Sequence, residues 1–372
     1  MKKLAIITTH PIQYYAPVFK LLGASEQLDI SVYYTRGNSE MQQPDPGFQQ
    51  LINWDIPLLE GYSYQWVKHR DLIAQVANWQ PDALLVYGWP FKGHLKCLRF
   101  FKNKIPLHFR GDSTLLNEPS GLKKLLRKLY LSWVYKHVDH AFYVGSNNKA
   151  YFKKYGLKDH QLSFAPHAID NTRFEDEQES SVKGLRSSLN IGKDEILILY
   201  AGKFDPVKNV DLLLSAFINM NNPIAHLLLV GNGTEETNLK QQAQQSALSA
   251  SIHFIGFQNQ SHMPVFYQAA DLFCLPSSSE TWGLAVNEAM ACSKAILVSD
   301  KVGCAVDLVK DGYNGWTFKA QSLTGLTQHL EKLVHQGKND LAQMGKNSKQ
   351  IIGHWTFQKQ VDAIENAVIK HG

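Results

Sequence analysis

Glu280 and Glu288 stand eight residues apart in the run Asp271-Leu-Phe-Cys-Leu-Pro-Ser-Ser-Ser-Glu280-Thr-Trp-Gly283-Leu-Ala-Val-Asn-Glu288. The apolar stretch before Pro276 predicts a strand, the serines a polar loop, and the residues from Gly283 onward a helix. The first amides of such a helix, left uncovered by a glycine, form an anion site suited to phosphate. As a helix, eight residues would separate the glutamates by ~12 Å. The acid and base of a glycosidase lie roughly 5–9.5 Å apart on opposite sides of one bond. The spacing fits two hydroxyl-bearing ends of one long ligand better, the alternative being a solvated loop glutamate and an ordinary helix glutamate.

A second constellation is basic. Tyr200-Ala-Gly202-Lys203-Phe-Asp205-Pro-Val-Lys208-Asn209 follows an apolar strand pattern and precedes a helical one. Two lysines five apart on a loop at a strand's carboxyl end can reach one diphosphate. Their compact charges would stabilise a departing phosphate. Solvated surface lysines are the plainer alternative.

Other chemistries lack their residues. Val230-Gly231-Asn232-Gly233 lies between a strand and a helix, but Glu236 occupies the third glycine position of a dinucleotide fingerprint. There is no GxxxxGK[ST], HExxH or GxSxG, so P-loop, zincin and α/β-hydrolase readings fall away. No Asp-x-Asp pair is present to hold a metal on a diphosphate. The expectation is therefore no metal and no cofactor, with protein groups neutralising the phosphates.

The elements that must position these residues alternate along the chain. Predicted strands are Leu4–Thr8, Ile30–Tyr34, Ala83–Tyr87, Ile105–Phe109, Ala141–Val144 and Leu162–Ala165. After a charged, strand-free break come Ile196–Ala201, His226–Val230, His253–Ile255, Asp271–Leu275 and Ala295–Ser299. Helical patterns separate most of them, and strands apolar on both faces imply parallel sheets under helices. The fold class expected is α/β, two doubly wound Rossmann-like domains facing each other across a cleft. The boundaries read as 1–175, 190–354 and a closing helix over 355–372. The ligand should lie outside the carboxyl ends of the strands.

Residues 196–318 resemble the C-terminal domain of glycosyltransferase family 4, retaining enzymes of the GT-B architecture. The resemblance rests on Ala201 to Lys208, Leu229 to Gly233, His253 to Phe257, Pro276 to Glu288, Val302-Gly303 and Asp311 to Gly315. It extends more weakly over 1–175, through Phe142 to Ser146 and Pro166 to Phe174. It implies that Glu288 binds the ribose hydroxyls and that Glu280 sits near the donor sugar and the reaction centre. Lys203 and Lys208 would grip the diphosphate beside Gly202. Thr281, Trp282, Gly283 and Leu284 would present backbone amides, and Phe257 would lie beside the base. In the first domain Asp112 takes the place of the family's His or Asp, with His10 and Arg110 as acceptor-side candidates. Asp112 could equally be a helix cap or turn residue, and His10 a hydrogen-bonded loop residue. The chain departs from the pattern at Cys292-Ser293-Lys294 and at Cys304-Ala305.

Charge is uneven. Residues 1–170 carry 21 Lys and Arg against 13 Asp and Glu, while the whole chain has a net charge of only +5. The stretch GLKKLLRKLYLSWVYKH, 121–137, is basic and amphipathic. It suggests peripheral contact with an anionic membrane, or a plain helix packing Leu122, Leu125, Leu129 and Trp133 into the core. Nucleic acid is not an expected partner, since the isoelectric point near 8.8 is mild and no binding motif occurs. Four cysteines without CxxC spacing fit a reducing compartment, and no run of ~18 apolar residues occurs. The expected location is cytoplasmic, at the inner face of the membrane.

The reading is a metal-independent retaining glycosyltransferase. It would move a sugar from a nucleotide-diphosphate sugar, UDP by default, to a glycan or lipid-linked acceptor in bacterial cell-surface polysaccharide synthesis. A nucleotide-sugar 2-epimerase and a non-catalytic sugar-nucleotide-binding subunit are the alternatives.

Overall fold

A strand with every residue buried needs cover on both faces, and several strands of this chain have that pattern. Ala83–Tyr87, Ile196–Ala201, Ala225–Val230 and Leu272–Leu275 are buried from end to end. In the computed structural model, which describes residues 1–36, 53–118 and 120–371, these strands sit inside two parallel sheets sandwiched by helices. Residues 1–36, 56–168 and those from 356 onward form one compact unit; residues 53–55 and 169–355 form the other.

The first unit contains β1 (Lys2–Thr8), β2 (Leu28–Tyr34), β3 (Ser63–Trp66), β4 (Ala83–Tyr87), β5 (Leu107–Arg110), β6 (His140–Tyr143) and β7 (Leu162–Phe164). Their order is β3-β2-β1-β4-β5-β6-β7, every pairing parallel. The second contains β8 (Ile196–Ala201), β9 (Ala225–Val230), β10 (Ile252–Ile255), β11 (Leu272–Leu275), β12 (Ala295–Ser299) and β13 (Gly315–Phe318). Their order is β10-β9-β8-β11-β12-β13, again parallel throughout. Each sheet is doubly wound and Rossmann-like. Strand order reverses between β1 and β4 in the first and between β8 and β11 in the second, and crevices open at such points.

Several details differ from the sequence-based expectation. β3 and β13 were not predicted; both are four-residue edge strands. The charged break is helical, with helices Asn171–Glu175 and Glu179–Ser188, and the latter packs on helix Met263–Ala269 within the second unit. The helix Phe357–His371 belongs to the first unit, where it lies on helix Ala16–Gly23. The core-packing alternative for residues 121–137 fails: Leu122, Leu125 and Leu129 of helix Gly121–Tyr135 are exposed, and only Leu131, Val134 and Tyr135 are buried.

His94 shows how a buried polar group fixes a loop. Its ring is fully buried, with Nε2 2.9 Å from Thr35 Oγ1 and Nδ1 2.9 Å from the Gly88 carbonyl oxygen just beyond β4. Burial, partly opposed by the backbone bond to Gly88, lowers its pKa from 6.5 to about 4. The folded state therefore holds this ring neutral, while the unfolded chain takes up a proton below pH 6.5. Stability from this group is present in full above that pH and is lost as pH falls toward 4. Between pH 7 and 5 the loss should be about 2 kcal/mol. Hydrogen exchange of the β4 amides at both pH values measures it, and His94→Gln should flatten the dependence. Equal protection at the two pH values in the unsubstituted protein would refute the neutral buried ring.

Candidate functional site

Lys203 lies two residues beyond the carboxyl end of β8, and Glu280 five residues beyond that of β11, the strand paired with β8 where the order reverses. Hydrogen bonds join the two loops. Ser278 donates both its backbone N–H (2.9 Å) and its hydroxyl (3.1 Å) to the Val207 carbonyl, and Asn209 Nδ2 donates to the Pro276 carbonyl at 3.3 Å. Lys208, in the short turn Pro206–Lys208, forms an ion pair with Glu280; both side chains are largely shielded from solvent. Sequence reasoning assigned these two residues to separate parts of a ligand, and the structure joins them in one charge pair.

Lys203 is held from beneath. Tyr200 Oη donates to the Lys203 carbonyl at 2.6 Å. Burial, reinforced by the Glu280 carboxylate, pushes the Tyr200 phenol well above its ordinary pKa, so it remains a donor. Gly231 also belongs to this arrangement. Its φ is +140°, and a Cβ there would lie 1.9 Å from the Gly202 carbonyl oxygen. The Gly231-Asn232-Gly233 turn therefore packs against the Lys203 loop, with Phe204 N–H donating to the Asn232 carbonyl at 2.9 Å.

The loop Glu280–Gly283 is pinned on its other side. Gly303 N–H donates to the Glu280 carbonyl (3.0 Å) and Cys304 N–H to the Trp282 carbonyl (2.9 Å). Gly283, at φ +96°, caps the start of the helix Leu284–Ala291; Val286 N–H donates back to the Gly283 carbonyl at 2.9 Å, and the amides ahead of it have no acceptor within the helix. The buried Trp282 donates its indole N–H to Asn287 Oδ1 at 2.9 Å, locking the loop to the helix. Glu288, 4% exposed, accepts a 2.8 Å hydrogen bond from Tyr267 Oη. A carboxylate this enclosed is held in one orientation, with its charge answered by a fixed donor. Among the described residues, no group of three or more His, Cys, Asp or Glu side chains is placed to hold a metal ion.

Residues 182–351 match the family model of glycosyl transferases group 1. The chain is 28% identical over 190 residues to D-inositol 3-phosphate glycosyltransferase of Gordonia bronchialis, covering 48% of this chain and 41% of that protein. It is 29% identical over 207 residues to alpha-monoglucosyldiacylglycerol synthase of Acholeplasma laidlawii, covering 54% and 51%. The aligned stretch thus spans about half the length of these relatives or less. Among solved structures, Anabaena HepE in complex with UDP aligns over 100% of both chains, with a TM-score of 0.77 and 16% identity. This likeness shows the fold, the GT-B architecture of two Rossmann-like domains.

The group 1 match encloses Lys203, Lys208, Glu280 and Glu288, and it leaves out the candidates of the first unit. Phe257 lies beyond β10, two strands from β8, with its ring centroid 6.4 Å from that of Trp54. In the first unit, His10 follows β1 at the reversal point, with Nδ1 2.9 Å from Thr9 Oγ1. Asp112 lies two residues past β5, half-buried, on a cavity of about 190 Å³ lined also by Trp89, Phe91, Phe109 and Phe152.

Arg110 is not placed as an acceptor contact. It is 2% exposed and donates to the carbonyls of Ala165 (2.8 Å) and Pro166 (3.1 Å) and to Gln360 Oε1 (3.1 Å). A buried guanidinium needs such acceptors, and this one ties the end of β5 to that of β7 and to the last helix.

Sequence reasoning missed His167 and Tyr267. His167, three residues past β7, stacks on Tyr15 at 6.1 Å between ring centroids. Burial, then the Arg110 charge, lowers its pKa to about 4 against the opposing pull of Asp112. A histidine directly after a proline, just past a strand, was the available signal. Tyr267 carried none, because it is a tyrosine in a helix of ordinary composition. Removing its hydroxyl in Tyr267→Phe leaves the buried Glu288 without that donor and should cost about 1–3 kcal/mol. Urea unfolding monitored on the second unit checks this, and an unchanged midpoint would deny Tyr267 the role of holding Glu288.

Proposed function

We propose that this chain is a retaining, family 4-type glycosyltransferase. It would transfer a hexose from a nucleotide-diphosphate sugar, UDP-linked by default, to a hydroxyl on a glycan or lipid-linked acceptor, in the cytoplasm and in the service of bacterial cell-surface polysaccharide. The observation that carries this reading is the Lys208–Glu280 ion pair, formed where strand order reverses, between the loop that also carries Lys203 and the loop that leads into helix Leu284–Ala291. Cations and helix amides on these two loops supply the electrostatics a diphosphate needs. The transferase names of the group 1 relatives support the reaction class, and HepE's complex with UDP supports the donor class.

Within this reading each group has a task. The bond from the sugar's anomeric carbon to the diphosphate breaks, and its electron pair goes to the phosphate oxygen. Lys203, Lys208 and the helix amides stabilise that charge without a metal. The acceptor oxygen attacks the oxocarbenium-like carbon from the face the diphosphate leaves, and a phosphate oxygen takes its proton. Lys208 must turn from Glu280 toward the phosphate, which frees the Glu280 carboxylate to meet the sugar. Glu288, oriented by Tyr267, receives the ribose hydroxyls, with Phe257 beside the base. The first unit supplies the acceptor side through Asp112 and His10.

Mass spectrometry of the protein with a panel of nucleotide sugars, a chelator and a bacterial lipid and glycan extract tests the proposal. Free nucleotide diphosphate from one donor, increased by the extract, is expected. Isomerised donor without release would instead identify an epimerase. Lys208→Ala and Glu288→Ala should each lose at least ~100-fold in transfer with unchanged circular dichroism. Near-normal turnover in either variant would overturn the assigned roles, and loss of activity with the chelator would overturn metal independence.

A further inference from the structure

Residues 121–130 of helix Gly121–Tyr135 are all exposed. They include Leu122 at 71%, Leu125 at 54%, Leu126 at 57%, Leu129 at 62% and Tyr130 at 45%. The leucines recur at i, i+3, i+4 and i+7, the spacing that gathers side chains into one stripe. At 100° per residue they occupy an arc of about 100°. Leu131, Val134 and Tyr135, the buried residues of the next turn, fall on the opposite arc. The helix is therefore anchored by one side of its last turn while its apolar stripe faces away from the body of the unit. Isolated surface leucines need no explanation, but a leucine stripe turned toward water does.

The charges around the stripe restrict what could cover it. Lys123 and Lys128 flank it, about 110° to either side of its centre, and Lys124 and Arg127 lie behind. Neither this helix nor helix Lys92–Phe101 contains an Asp or Glu; the latter adds Lys92, Lys96 and Arg99. The two helices touch: Tyr130 packs edge-on to Trp89 just before the second, and the Arg99 guanidinium lies 5.5 Å over the Trp133 ring. Glu118, just before the helix, is shielded and held by Lys154 and Tyr155, with Lys124 of the helix itself 3.8 Å away. A second copy docking through this face would set cation against cation. An anionic lipid surface offers charge complementarity to the lysines and an apolar interior to the leucines, and long basic side chains can keep their heads at the phosphates while the leucines insert.

From this arrangement we propose that helix Gly121–Tyr135 docks the protein on an anionic lipid bilayer, lying in the interface with Leu122, Leu125, Leu126 and Leu129 inserted. Unlike the transferase reading, this can be tested without any sugar donor, so the two can fail separately. The full chain is floated with vesicles of phosphatidylcholine alone and of phosphatidylcholine with an equal part of phosphatidylglycerol. Binding is expected to the second kind only, weakening as salt rises. Leu125→Glu/Leu129→Glu and Lys123→Glu/Lys128→Glu should each lower the partition at least tenfold. Both should leave thermal unfolding unchanged, because the altered side chains are exposed. Failure of the unsubstituted protein to float with anionic vesicles would overturn the proposal, as would flotation indifferent to the leucine changes. A dimer in light scattering that the leucine changes dissociate, with no vesicle binding, would overturn it in favour of self-association.

Discussion

Parallel strands cannot be joined by tight turns, so every connection in these sheets is a crossover that leaves from a carboxyl end. In the second unit the chain winds outward from β8 to β10 and then returns to place β11 on the other side of β8. The loops after β8 and β11 are thereby the one pair that leave neighbouring strands in diverging directions. Lys208 and Glu280 owe their meeting to that reversal, and Lys203 lies on the same loop as Lys208. The glycines around them follow from the same crowding: Gly231 lets one loop lie on the next, and Gly303 has no room for a Cβ, which would fall 1.8 Å from the Thr281 carbonyl oxygen. What looks in sequence like scattered motifs is one packed layer of backbone.

Burial divides the charged residues into two kinds. Arg110 is enclosed and spends its donors on carbonyls and Gln360 inside its own unit. Glu288 is equally enclosed but belongs to the candidate site, oriented by Tyr267. Lys208 and Glu280, largely shielded but still 22% and 18% exposed, answer each other. Pairs of this last kind can exchange partners at modest cost, whereas breaking a fully buried one leaves an uncompensated charge. This contrast makes Arg110 a structural residue and leaves Lys208 able to serve a ligand.

Much of this was legible in the sequence, for reasons that differ by residue. Ala83–Tyr87, Ile196–Ala201 and Ala295–Ser299 match strands residue for residue, because central strands are buried from end to end and so carry mostly apolar side chains. β3 and β13 were hidden, since Ser63–Trp66 is an edge strand with exposed polar positions and Gly315–Phe318 depends on Gly315 lying against the Ile296 carbonyl. One shifted boundary mattered chemically: β5 ends at Arg110 rather than Phe109, which draws that side chain into the interior. The Lys208–Glu280 pair and the Tyr267–Glu288 bond join residues 72 and 21 positions apart, and only the folded sheet brings them together. The outward leucines of helix Gly121–Tyr135 were equally undecidable, because amphipathic spacing gives a face without saying what it faces.

The order in which the chain leaves and re-enters the first unit has a consequence for its synthesis. Some 187 residues of the second unit, Ile169 to Trp355, are translated before the first unit receives helix Phe357–His371. Until that helix arrives, Arg110 lacks the Gln360 acceptor, and the core around Phe19 and Phe142 lacks Val361, Ile364 and Val368. The second unit has all its strands in one uninterrupted stretch and can mature while the first waits with an apolar surface uncovered. On the ribosome, the order of completion is therefore the reverse of the order in which the two units begin.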